Sequence, residues 1–151
     1  MAAEMSTFQA IRFPVNGQPS FFGLLASPVQ AINPADGSLQ SSFHPHPEMI
    51  LGGQGDRWVS QRIDSLYGMT QDFVFDNPFL VFYIPRPAAD SLQINSAIAK
   101  VQGNKFKVET AWRGDVIVSK VTRANISHFV DCAPADFSIV SNYFTFYPPE
   151  Q

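Results

Sequence analysis

Residues 73–84, FVFDNPFLVFYI, are the most apolar stretch of the chain, and Asp76-Asn77-Pro78 cuts it in two. The second part, FLVFYI at 79–84, is short, continuous and rich in aromatic and β-branched side chains. It predicts a strand buried on both faces. Pro85-Arg86-Pro87 stops it, because proline cannot donate to a ladder.

Outward from this strand, twelve prolines are scattered over 151 residues, which leaves few places for helices of about 12 residues or more. Upstream, 8–13 (FQAIRF) and 20–25 (SFFGLL) are apolar runs joined by VNGQP, with Asn16-Gly17 as a hairpin signal. Residues 26–56 read as a long irregular loop with Pro28, Pro34, Pro45, Pro47, the turn Ala35-Asp36-Gly37 and the glycines Gly52, Gly53 and Gly55. Loops of that length are commonly functional or interfacial. Residues 57–63 (RWVSQRI) predict a short strand.

Downstream, 88–112 admits two readings. Ile94, Ala97, Ile98 and Val101 fit a helical face bounded by Pro87 and Gly103. Leu92, Ile94, Ser96 and Ile98 fit one face of a strand, with Gly103-Asn104 turning into Phe106–Trp112, and this hairpin is the preferred reading. Arg113-Gly114-Asp115 then turns the chain into a strand at 116–122, and 137–147 (FSIVSNYFTFY) predicts one strand or a bent pair ended by Pro148-Pro149.

Seven to nine short strands with at most one short helix follow. The expected fold class is all-β, mainly antiparallel, as a β-sandwich or a small closed barrel, the forms that manage many strand edges. One β domain is expected over 8–151, preceded by a flexible arm at 1–7.

Charged residues are 15% of the chain, well under the usual quarter, and the net charge is −3. Without a basic cluster the sequence argues against nucleic-acid binding and against a polybasic membrane anchor. No apolar run approaches the ~20 residues of a membrane helix. No basic start leads into an apolar segment, so cytoplasmic synthesis without a signal peptide is expected. Cys132 is the one cysteine, so no disulfide can form within the chain.

Five segments carry residue types or motifs associated with chemistry. In His44-Pro45-His46-Pro47-Glu48 the alternating prolines favour an extended backbone, which would turn His44, His46 and Glu48 to one side, as a zinc site needs. A fourth ligand is missing, and a rigid solvated loop is the simpler reading. His128, Asp131 and Cys132 hold the types for an activated thiol, but in a strand His128 and Cys132 stand about 13 Å apart, and a buried, inert cysteine is the commoner case. Ile50–Asp56 (ILGGQGD) lacks the Gly-Lys-Ser/Thr ending of a phosphate loop. Arg113-Gly114-Asp115 and the sequon Asn125-Ile126-Ser127 read as turns. No cofactor is expected, and the chain is read as not an enzyme.

The aromatics are the sharpest signal. Phe21-Phe22, Phe82-Tyr83, Tyr143-Phe144 and Phe146-Tyr147 are adjacent pairs, and in a strand neighbours point to opposite faces. One ring of each pair then looks away from the inner core, unless the fold has two internal faces. Phe22, Tyr83, Tyr143, Phe144 and Tyr147 are therefore the expected interface residues, with Tyr143→Ser or Tyr147→Ser expected to weaken association. The expected function is a structural or interaction protein that packs into a homomeric assembly, a trimer or larger, with another structural protein as a further partner. Virion or phage particle components, of the capsid-decoration or tail-attachment type, share this style. The alternatives are a ligand-binding β-barrel for an apolar or carbohydrate ligand, and a small hydrolase or isomerase using His44, His46, Asp56 or the His128–Cys132 segment.

Overall fold

Asn16-Gly17 does turn the chain: Gly17 adopts φ +99°, a conformation that side chains resist, and a hairpin forms around it. Its strands are β1 (Ser6–Phe13) and β2 (Ser20–Ile32), paired antiparallel from Ser6↔Ala26 to Arg12↔Ser20. The computed structural model describes residues 5–32, 34–51, 58–65, 75–123 and 128–149.

The segment 26–56 corrects the expectation of a long loop. β2 runs on through Pro28 to Ile32, and β3 (Leu39–Pro45) returns along it, followed by the short helix α1 (Glu48–Leu51). The His46 amide donates to the Leu25 carbonyl. Antiparallel ladders alternate bonded and non-bonded pairs, so this bond leaves Ala26↔Pro45 and Pro28↔Phe43 at non-bonded positions. Both prolines therefore sit where the β2–β3 ladder asks nothing of their missing N–H. Prolines that read as loop markers are compatible with strand at these sites.

The remaining strands are β4 (Val59–Ile63), β5 (Phe79–Tyr83), β6 (Val116–Val121) and β7 (Phe129–Val130). The sheet order is β3-β2-β1-β6-β5-β4, all pairs antiparallel, with β7 also paired to β6. Side chains of β3 and of β4–β5, at opposite ends of this order, line one cavity. The sheet therefore curls into a half-barrel, and among the described residues no ladder joins β3 to β4.

Two further expectations give way to helix. Residues 96–102 form α2 (Ser96–Gln102) rather than half of a hairpin. The reason is Asn95, whose side-chain oxygen accepts from the Ile98 amide as an N-cap while its Nδ2 donates to the carbonyls of Phe13 and Gly114. Residues 137–147 lie largely in α3 (Asp136–Phe146) rather than in a strand. Their aromatic and β-branched content favours strand only weakly, and the spacing of Val140, Tyr143 and Phe144 turns all three onto the sheet.

Both sheet faces are apolar. One packs under α2 and α3 through Ile11, Phe13, Val81, Tyr83, Trp112, Val118 and Phe144. The other, inside the curl, packs Ala10, Leu24, Leu80, Phe82, Ile117 and Phe129 together, with Phe8, Phe43 and Trp58 partly buried against them. Among the described residues no helix is long and apolar enough to cross a membrane.

Candidate functional site

The five expected interface residues do not form a surface patch. Tyr83 and Tyr143 are each 3% exposed and Phe144 is fully buried, all three in the core under the helices. Phe22 is half-buried inside the curl, and Tyr147 is half-buried and stacked on Tyr143 with ring centroids 4.8 Å apart. The cause is the two-faced sheet. Phe82 and Tyr83 do point to opposite faces, but both faces are internal. Tyr143 and Phe144 are helical neighbours, and both fall on the buried side of α3. Substituting Tyr143 is thus a core change, not an interface change, and the Tyr143 hydroxyl is the hydrogen-bond partner of the Gln61 side chain.

Exposed apolar side chains collect elsewhere. The β1–β2 ladder ends at Ser6↔Ala26, whereas the β2–β3 ladder runs on to Ile32↔Leu39. Residues 27–32 and 39–44 therefore form a two-stranded arm that continues past β1, its base still packed against the body of the sheet through Phe43. Ile32 and Leu39 face each other across it and are 69% and 68% exposed, with Val29 also exposed. Asp36 at the arm's tip accepts from the amide and hydroxyl of Ser38, which lowers its pKa and closes the turn.

At the base of the arm lies a groove of about 300 Å³ between β3 and β4. Phe43, Trp58, Phe82 and Phe129 supply its rings, and Ser42, His44 and Ser60 its polar groups. Trp58 stands edge-on to Phe82 at 5.4 Å, and Phe8 bridges Phe43 and Phe129 at 5.2 and 5.5 Å.

Beside this groove three polar side chains meet. Ser27 Oγ lies 2.5 Å from His46 Nε2, and His46 Nδ1 lies 2.9 Å from Glu48 Oε1. Leu25↔His46 and Ser27↔His44 are cross-strand pairs two residues apart, so Ser27 and His46 share a face as diagonal neighbours. Pro45 and Pro47 restrict the backbone on both sides of His46, and Glu48 opens α1. The His44 ring stands 5.3 Å from that of His46 and 6.4 Å from that of Trp58, linking this cluster to the groove. His46 is therefore engaged with Ser27 through one ring nitrogen and with Glu48 through the other, and among the described residues no three His, Cys, Asp or Glu side chains converge as metal ligands. The sequence reading missed Ser27, Phe43, Trp58 and Phe129. Only the β2–β3 register and the curl bring them together.

The other motifs settle into structural places. Burial pushes the Cys132 thiol up from 9.0 to about 12, with the Asp136 carboxylate adding to the shift, so it stays protonated at neutral pH. The Asp131 side chain accepts from the Gln9 amide instead of orienting a base for Cys132. In Arg113-Gly114-Asp115, Asp115 binds the Arg12 guanidinium and the Val15 amide, and Arg113 donates to the Leu92 carbonyl. Gly114 has φ +77°, and a Cβ there would stand 2.8 Å from Leu92 Cδ1. A second cavity of about 260 Å³ lies over Tyr83 and Trp112, with Arg86 at its rim paired to Asp90 at 2.7 Å. The glycines of 52–55, Asp56 and the sequon at 125–127 lie outside the described residues. Comparison of the chain with protein-family models, with curated proteins and with solved structures finds no match.

Proposed function

We propose that this chain is an interaction protein that associates with copies of itself through the β2–β3 arm. The observation that carries this reading is the two-stranded extension past Ala26, with Ile32 and Leu39 paired and exposed at its end. A two-stranded ribbon is marginal in water without cover. Its outer strand, β3 (LQSSFHP), carries none of the Lys, Arg, Asp or Glu residues that blunt a free edge. The opposite edge, β4, does carry Arg62, ion-paired to Asp64 at 2.8 Å. A second copy related by a two-fold axis presents the same β3, antiparallel, and the two edges complement each other. The low charge content agrees with surface given over to contact.

The test is mass in solution by light scattering after size-exclusion chromatography over a concentration series. Association above the 16.7 kDa monomer, lost in Leu39→Lys with an unchanged circular dichroism spectrum, is the expected result. A monomer at every concentration overturns the reading.

A second reading, ligand binding, is favoured by the groove. Four rings and three polar side chains line an opening of the size small ligands use, and an apolar or carbohydrate ligand seated between β3 and β4 would give the half-barrel the closed-barrel role. Saturable quenching of Trp58 emission, absent in Trp58→Phe, tests it.

A further inference from the structure

We propose that Ser27 is a nucleophile, that His46 is its general base and Glu48 the group that orients the base, and that the site acts on carboxylic esters. Nucleophilic serines are recognised by a chain of two hydrogen bonds, nucleophile to base and base to carboxylate, and not by sequence position. Here the two links measure 2.5 and 2.9 Å and use the two different ring nitrogens of one imidazole. The three residues come from β2, the end of β3 and α1, and Pro45 and Pro47 hold the histidine between them. Glu48 Oε2 is buried without a hydrogen-bond partner among the described residues, so the carboxylate's one strong contact is the imidazole. Solvent reaches the site, because His46 and Glu48 side chains keep 23% and 34% of their accessible surface. The His44 ring stands between His46 and the aromatic groove, whose lining includes neither Ser27 nor His46.

In the step proposed, His46 Nε2 takes the Ser27 hydroxyl proton as Oγ bonds to the ester carbonyl carbon. The tetrahedral intermediate collapses, the bond to the leaving alkoxide oxygen breaks, and that oxygen takes the proton from Nε2. Water, deprotonated by the same nitrogen, then releases the carboxylic acid and restores Ser27. The Ser27 amide belongs to the bonded pair with His44, so it is not free to act as an oxyanion donor. Both acylation and deacylation are therefore expected to be slow.

The experiment treats the full chain with an alkyl fluorophosphonate and with p-nitrophenyl butyrate, and maps adducts by peptide mass spectrometry. One adduct on Ser27 is expected, absent in Ser27→Ala. Its rate should fall by about 10²-fold or more in His46→Gln and less in Glu48→Gln. No adduct on Ser27 overturns the proposal, as does a labelling rate equal in wild type and His46→Gln. Should His46→Gln fail to fold, equal Ser27 labelling rates in the folded wild type and in the urea-unfolded chain overturn it equally, because a serine activated by its folded neighbours loses that activation on unfolding.

Discussion

Asn95 shows how much one side chain decides. It is 1% exposed, and it caps α2 while holding the carbonyls of Phe13 and Gly114, so it ties the helix to the end of β1 and to the turn before β6. Asn95→Ala removes the cap and strands two buried carbonyls. A loss of about 2–4 kcal/mol in urea unfolding is expected, against under about 0.5 kcal/mol for an exposed polar position such as Gln93→Ala. At Cys132, the folded thiol keeps its proton up to about pH 12, whereas the unfolded one loses it near 9.0. This group therefore contributes stability that is full below pH 9 and lost as the pH climbs toward 12. Dithionitrobenzoate at pH 8 should leave the native thiol unmodified and titrate one thiol per chain in urea.

At the scale of elements, α3 and the β2–β3 arm make opposite predictions. In α3 the rings of Phe13 and Trp112 stand 4.9 and 5.0 Å from Phe144, which is fully buried. Phe144→Ala should cost about 3–5 kcal/mol, while Phe146→Ala, on the exposed side of the same helix, should cost far less. Tyr143→Ser should likewise lower stability rather than detach a partner. On the arm, Leu39→Lys and Ile32→Lys should leave the unfolding midpoint of the monomer nearly unchanged and shift the scattering mass to the monomer. These elements also show where the residues were legible. The Asn16-Gly17 turn, the strand at 79–83 and the strand at 116–121 follow from turn chemistry and apolar runs. α3 did not, because FSIVSNYFTF is strand-like in content and only its packing partners select the helix.

For the whole molecule, β5 and β6 are shared by both apolar clusters, so neither layer can melt without exposing the other. The two tryptophans report from the two sides, Trp58 inside the curl and Trp112 under the helices. Tryptophan emission and far-ultraviolet circular dichroism should give one urea midpoint. Two separate midpoints would show two independent units.

What the sequence determined by itself was local: turns where glycine supplies positive φ, strands where apolar runs are short, and rings on both faces of the strands. Those depend on neighbours a few residues away. Which rings are covered, and which polar groups meet, depends on register and curl. Phe82 and Tyr83 are both buried because helices cover one face and the sheet's own curvature covers the other. Ser27 reaches His46, 19 residues along the chain, because a ladder with prolines at its non-bonded positions sets them diagonally opposite. Tertiary structure alone decides such contacts, since they are fixed by pairing between strands and not by the order of residues within them.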